Sequence, residues 1–242
     1  MRSIIEQLQE KYQLQKWYID LQEVDDVYVM VDRWHYYPKD SIAILRVNPQ
    51  YPKQLLEEGI AFRMREMAMR YATLNTKRLF IRHMDESDKD AEWKLQSNPN
   101  VSLTDGYGPL TTEMQLNRKL QQMIADPGCY SICLDGQSIG HMSLRFVQRA
   151  CLAIELGYAI QEEYWNQGYG YEAVSKVIDM CFTYLGADMV IASCFIGNEA
   201  SKRVMEKCNM KYEGCLRKAY QHDLWGPMDL LTYSIIKEEY NV

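Results

Sequence analysis

Trp165-Asn166-Gln167-Gly168-Tyr169-Gly170-Tyr171-Glu172-Ala173 is a short glycine-bearing turn that runs straight into an amphipathic helix. A strand-like stretch, Ile154-Glu155-Leu156-Gly157-Tyr158-Ala159-Ile160, stands just before it. Strand, glycine turn and helix N-terminus together lay out an anion site. The unpaired N–H groups of a first helical turn and the helix dipole both favour a negative charge at that point. Gly168 and Gly170 let the backbone approach a phosphate with no Cβ in the way. Ala173, Val174, Val177, Ile178, Cys181 and Phe182 give the following helix its apolar face, and Gly186 fits the C′ position at its end.

Working outward, residues 189–195 read as a strand, 199–207 as a helix, and 212–217 and 230–236 as terminal strands. On the other side, residues 77–82 read as a strand. Asp85, Glu86, Ser87 and Asp88 supply N-cap candidates for a helix reaching Gln96. A loop with Asp105-Gly106-Tyr107-Gly108-Pro109 follows, then a helix over 112–125. Strands at 130–134 and 138–146 are joined by Asp135-Gly136, a strong hairpin signal, and a further strand covers 151–160. The order β-α-α-β-β-β-α-β-α-β-β predicts an α/β (α+β) domain: a mixed, mostly antiparallel sheet with helices on both faces.

The first 75 residues have a different texture and read as a small α/β unit of unassigned role, which makes residues 76–242 the second domain. Ile4, Ile5, Leu8 and Tyr12 recur at helical spacing; 16–24 and 26–34 alternate as strands do, 41–47 fits a third strand, and a long helix fits 53–72. His35 stands among Trp34, Tyr36 and Tyr37 with no ligand cluster around it.

Bulk composition narrows the class. The 242 residues are 47% hydrophobic and 25% charged, as in globular proteins, and no apolar run approaches the ~20 residues that span a bilayer. The first residues lack a signal-peptide h-region, so the expected location is cytoplasmic with no membrane partner. Seven scattered cysteines fit reduced, buried thiols. Cys129 and Cys133 have no second pair to complete a zinc site, so no metal is expected. A net charge of −6 argues against nucleic acid as the main partner and suits a cationic acceptor.

Four segments in the right order carry a family resemblance: Glu155-Leu156-Gly157-Tyr158; Tyr164 through the turn to Ala173; Asn198-Glu199-Ala200-Ser201; and Tyr212-Glu213-Gly214-Cys215-Leu216-Arg217. Over residues 76–242 the chain resembles the GNAT N-acetyltransferase superfamily, in the branch of the ribosomal-protein N-terminal acetyltransferases. The resemblance implies acetyl-CoA as cosubstrate, an amine of unidentified nature as acceptor, and a cleft where the strands at 152–160 and 189–195 splay apart. It leaves a homodimer open. The pyrophosphate is expected on the N–H groups of Gln167, Gly168, Tyr169, Gly170 and Tyr171, with Trp165 and Asn166 also expected to bind the cofactor. Backbone groups of Tyr158, Ala159 and Ile160 and the side chain of Asn198 are expected along the pantetheine arm, with Ser201 near the thioester.

Two catalytic candidates follow. Glu155, a strand glutamate beside apolar neighbours, is a candidate base acting directly or through water, with a structural pairing to a nearby arginine or backbone group as the alternative. Ser201 is a candidate proton donor to the leaving thiolate. The family positions for a base glutamate and an acid tyrosine are held here by Ser193 and Met205, and the family's helix-ending glycine by Asn209. That departure keeps a second class in view, a catalytically silent sensor of acetyl-CoA. His141, on a neighbouring strand, reads as a packing residue within reach of the cleft. His222 and Asp223 read as turn residues.

Overall fold

The computed structural model describes residues 20–24, 27–31, 62, 65–66, 68–70, 72–148 and 150–240. The chain divides into two compact units, Met1–Ala68 and Met69–Val242. In the first, β1 (Asp20–Val24) and β2 (Val27–Val31) form an antiparallel hairpin closed by the pair Val24↔Val27. Described positions between 62 and 70 are helical. The helix expected at 4–12, the strand at 41–47, the remainder of the helix at 53–72 and His35 lie outside the described residues.

The second unit is built on an eight-stranded sheet of order β3-β4-β5-β6-β7-β8-β10-β9. Its strands are β3 (Leu74–Asn75), β4 (Leu79–His83), β5 (Cys129–Leu134), β6 (Gln137–Gln148), β7 (Leu152–Ile160), β8 (Met189–Phe195), β9 (Lys211–His222) and β10 (Gly226–Ile236). All neighbouring pairs are antiparallel except β7 and β8, which run parallel. A parallel step needs a crossover, and α4 (Tyr169–Thr183) supplies it. The other helices are α1 (Lys89–Ser97), α2 (Pro99–Ser102), α3 (Glu113–Ala125), α5 (Glu199–Lys207) and α6 (Lys237–Tyr240).

Local sequence explains the joints. Asp135 and Gly136 carry φ of 48° and 83°, the paired left-handed residues that a two-residue hairpin turn of type I′ demands. Asn209, where the resemblance implies a glycine, adopts φ 60° at the end of α5, a conformation asparagine tolerates. β5 is buried along almost its whole length, and Ser131 within it is hydrogen-bonded to Asp88 and Ser138.

Successive residues of a strand point to opposite faces. Ala159 packs with Leu95 of α1 and Val101 of α2, while Tyr158 reaches Ser201 of α5. Helices therefore cover both faces, α1 and α2 on one and α4 and α5 on the other. The face of α4 that carries Ala173, Val174, Val177, Ile178, Cys181 and Phe182 is the buried one. The structure adds α2, β3 and α6 to the sequence reading and lengthens β9 and β10. α2 interrupts the expected loop after residue 98, because Asn98 caps it through Asn100 N–H and Pro99 fits its first turn. β9 and β10 run longer than their apolar cores suggest, since β9 is a solvated edge strand and two register shifts break the alternation.

Candidate functional site

The parallel register of β7 and β8 covers four pairs, from Ala153↔Met189 to Leu156↔Ala192. β7 continues to Ile160 on β6, and β8 continues to Phe195 on β10. From Gly157 and Ser193 onward the two facing edges therefore part. This is the splayed cleft expected from the resemblance, and its open edges expose backbone donors and acceptors that suit an amide-bearing chain laid between them.

The glycine turn closes the end of that cleft. Trp165 fastens it to β7 through Nε1–H donating to the Ile160 carbonyl at 2.7 Å, so that carbonyl is already engaged. Asn166 (φ 58°) and Gly168 (φ 84°) bend the chain through left-handed conformations, and Gly168 is the N-cap of α4. α3 and α5 are capped by the side chains of Thr112 and Asn198. α4 starts on a glycine and has no side-chain cap. Its first intrahelical bond is Glu172 N–H to the Gly168 carbonyl at 3.0 Å, which leaves the N–H groups of Tyr169, Gly170 and Tyr171 to an outside acceptor. A Cβ on Gly170 would sit 3.6 Å from Val204 and 3.9 Å from Tyr158, so this glycine lies where α4, α5 and β7 converge.

The far wall is α5. Asn198 Oδ1 accepts from the Ser201 N–H at 3.1 Å, which fixes the amide and turns its NH₂ group away from the helix. Tyr158 Oη lies 2.9 Å from Ser201 Oγ and also donates to the Ser201 carbonyl at 3.2 Å. Burial pushes the Tyr158 phenol well above its ordinary range. The Tyr158 phenol therefore keeps its proton near neutral pH, as a hydrogen-bond donor beside Ser201. Ser193 faces Thr232 at 3.2 Å between β8 and β10, and Met205 is fully buried.

Glu155 stands level with Ile191, one pair before the cleft opens. Its carboxylate is ion-paired with Arg145, its register partner on β6. The arginine-paired arrangement weighed from sequence is thus the one found.

On the α1 face, His141 is buried between two carboxylates, Nδ1 at 2.9 Å from Glu92 Oε1 and Nε2 at 3.6 Å from Asp105 Oδ2. Burial alone would lower its pKa, but Glu92 and Asp105 outweigh burial and push it up to about 10. Asp105 belongs to the loop after α2, which leans on the β9–β10 hairpin. Asp223 accepts from Gly108 N–H at 3.3 Å, and Tyr220 packs against Gly106. His222, expected as a turn residue, is buried. Its ring stacks on Trp225, Nδ1 accepts from two backbone N–H groups, and Nε2 meets the Leu103 carbonyl at 3.2 Å. It ties the hairpin to the loop.

Sequence reasoning passed over Thr76 and Arg78. Thr76 Oγ1 donates to Glu172 Oε1 at 2.6 Å, and Arg78 Nη1 donates to the Gln167 carbonyl at 3.0 Å. They are distant from the turn in sequence, and nothing local marks them. Among the described residues no cluster of three or more His, Cys, Asp or Glu side chains has metal-site geometry. Among the described residues no helix is long and apolar enough to cross a membrane.

Comparison with known proteins agrees with this geometry. The profile of the Acetyltransferase (GNAT) domain family matches residues 78–211, over half of the chain. An uncharacterized N-acetyltransferase, p20 of Bacillus licheniformis, is 29% identical over 181 residues, spanning 69% of this chain and 98% of its own. The L-amino acid N-acetyltransferase AaaT of Escherichia coli is 24% identical over 58% of this chain and 87% of its own. Among solved structures, a GNAT-family acetyltransferase from Bacillus anthracis superposes with a TM-score of 0.63 at 25% identity, covering 69% of this chain and all of that one. The spermidine N-acetyltransferase of Vibrio cholerae, solved with CoA and spermine, shares the fold with a TM-score of 0.59 at 18% identity over 68% of this chain and 99% of its own. A cleft between diverging parallel strands, an uncapped helix N-terminus at its end and a family profile across both place the chain in the GNAT acetyltransferase family.

Proposed function

We propose that this protein is an acetyl-CoA-dependent N-acetyltransferase that moves the acetyl group to a primary amine by direct attack in a ternary complex. The observation that carries the reading is the parting of β7 and β8 after Leu156↔Ala192, directly beside the uncapped N-terminus of α4. The pantetheine arm lies along Tyr158, Ala159 and Ile160, with its amides on the open strand edges. The pyrophosphate sits on the N–H groups from Gln167 to Tyr171. The amide NH₂ of Asn198, whose oxygen is committed to capping, donates to the arm.

In the reaction the neutral amine nitrogen attacks the thioester carbonyl carbon, and a strand N–H between Tyr158 and Ile160 steadies the oxyanion. Collapse breaks the C–S bond. The thiolate takes a proton through Ser201 Oγ, which is hydrogen-bonded to Tyr158 at 2.9 Å and regains a proton from water. The proton shed by the attacking nitrogen passes to water and Glu155. A thiolate leaves readily, so the proton it takes contributes modestly. Glu155 acts as base through water, in exchange with its Arg145 contact. The acceptor enters beside the joined loop and β9–β10 hairpin, where the carboxylate of Asp223 suits an amine that arrives as a cation. The relatives named for amino-acid and spermidine acetylation support the amine class.

Calorimetry with acetyl-CoA on the intact chain and on Gly170→Asp tests the cosubstrate site. The wild type should bind and the variant should not, because the carboxylate would stand where the phosphate does, while the fold survives. Equal affinities would sink the site. Release of free CoA thiol with a panel of amines and peptides tests the reaction. Binding without release from any acceptor would favour the sensor reading, for which Ser193 and Met205 at the family's base and acid positions speak.

A further inference from the structure

Glu172 puts a negative charge in the first turn of α4, at the helix end where the phosphates are proposed to sit. A carboxylate there suits the helix dipole but opposes an arriving anion. The segment from Tyr164 to Ser175 contains no lysine or arginine to offset it. The compensation comes from the turn before β4. Glu172 Oε1 accepts from Thr76 Oγ1 at 2.6 Å and from the Arg78 N–H at 2.8 Å, and Oε2 accepts from Arg78 Nε at 2.7 Å. These donors outweigh burial and hold the Glu172 carboxyl below the usual range.

The same guanidinium does two more things. Nη1 donates to the Gln167 carbonyl at 3.0 Å, and the group lies over the Tyr169 ring with its carbon 4.3 Å from the centroid. The turn is thus gripped on both sides of Gly168. Nη2 has no hydrogen-bond partner among the described residues and lies 3.5 Å from where a Cβ on Gly168 would be. A groove of about 720 Å³ opens at this point, lined by Lys77, Arg78, Gly168, Glu172 and Lys176 among others. The Arg78 side chain is 38% exposed, and an ion pair so placed contributes little to stability by itself.

We propose that Arg78 is a cosubstrate-binding residue: it cancels Glu172, fixes the Gln167–Tyr169 turn, and presents Nη2 to the phosphates of acetyl-CoA. The inference rests on the reading of this turn as the pyrophosphate seat. Glu172 is then a positioning residue, orienting the guanidinium from the helix.

The test is calorimetry of the full chain with acetyl-CoA, alongside calorimetry with S-acetylpantetheine, which lacks the phosphates. Arg78→Met should weaken acetyl-CoA binding at least tenfold and S-acetylpantetheine binding by a much smaller factor. Raising salt towards 1 M should shrink the gap from wild type, as screening does for a charge effect. Arg78→Met with Glu172→Gln should bind acetyl-CoA better than Arg78→Met alone, because no uncompensated carboxylate remains. Arg78→Gln, which is neutral and shorter but keeps an NH₂ donor, serves if the methionine variant does not fold. Affinity within twofold of wild type, an equal loss for both donors, or a double variant no better than the single would each overturn the proposal. Gly170→Asp separates the two levels. If it too leaves affinity unchanged, the phosphate turn is refuted; if it abolishes binding and Arg78→Met does not weaken it, only the role of Arg78 is.

Discussion

Replacing Glu92 and His141 together by glutamine should flatten the pH dependence of stability of the C-terminal unit. His141 lies 2.9 Å from Glu92 and 3.6 Å from Asp105, and the two carboxylates hold its pKa at about 10, against about 6.5 when unfolded. A folded pKa above the unfolded one means the native state binds the extra proton. Its stabilisation is therefore complete below about pH 6.5 and is lost as pH rises towards about 10. The slope in that window approaches about 1.4 kcal/mol per pH unit, so from about pH 7 to pH 9 the wild type should lose roughly 2 kcal/mol. For a unit of this size that is roughly 4–8 °C in Tm. Paired glutamines keep hydrogen bonding between positions 92 and 141 without charge, and Asp105 keeps Gln96 at 3.5 Å and the charge of Lys119 as partners. Melting followed by circular dichroism at half-unit pH steps, wild type against the double variant, reads the difference directly. Parallel curves for the two proteins would refute the charged-histidine account, and so would a wild type that gains stability towards pH 9.

Much of the fold was legible because its signals are local. Asp135-Gly136 fixes a hairpin by backbone conformation alone, and the apolar stripe of α4 repeats at helical period for the whole length of the helix. The glycine turn was legible for the same reason: two glycines between a strand and a helix have few other uses. The cleft was inferred through family likeness, since no sequence pattern says where a parallel pair stops pairing. What stayed hidden depends on distant partners. Arg78 meets Glu172 from 94 residues away, and His141 meets Glu92 from 49. Each residue alone looks like an ordinary strand or helix position. Glu155 illustrates the limit: its type and strand are plain in the sequence, while its pairing with Arg145 depends on the β6–β7 register.

Gly168→Ala forces φ 84° on a residue with a Cβ and should cost about 1–2 kcal/mol, lowering Tm, whereas Gly170→Ala, with its nearest neighbour at 3.6 Å, should leave Tm almost unchanged. Ser201→Ala and Tyr158→Phe should each lower kcat by roughly tenfold, with a double variant little worse than either single because the hydroxyls act as one pair at 2.9 Å; multiplicative losses in steady-state kinetics would separate their roles. Asp223→Asn should raise the KM for a cationic amine severalfold without moving the KM for acetyl-CoA, since Asp223 contacts the loop at Gly108 and not the phosphate turn. Glu155 needs a paired comparison, because its carboxylate is held by Arg145 and loss of either partner breaks the same contact. As a base acting through water, Glu155 should lower kcat by roughly a hundredfold when changed to glutamine. Arg145→Met leaves the carboxylate in place and should keep kcat near wild type, since Arg145 is exposed and supplies no proton acceptor. If Glu155 serves only the ion pair, the two variants must behave alike, with small equal effects on Tm and none on kcat. Single-turnover rates of both variants at saturating acetyl-CoA decide it: a glutamine variant as fast as the methionine variant removes Glu155 from the chemistry.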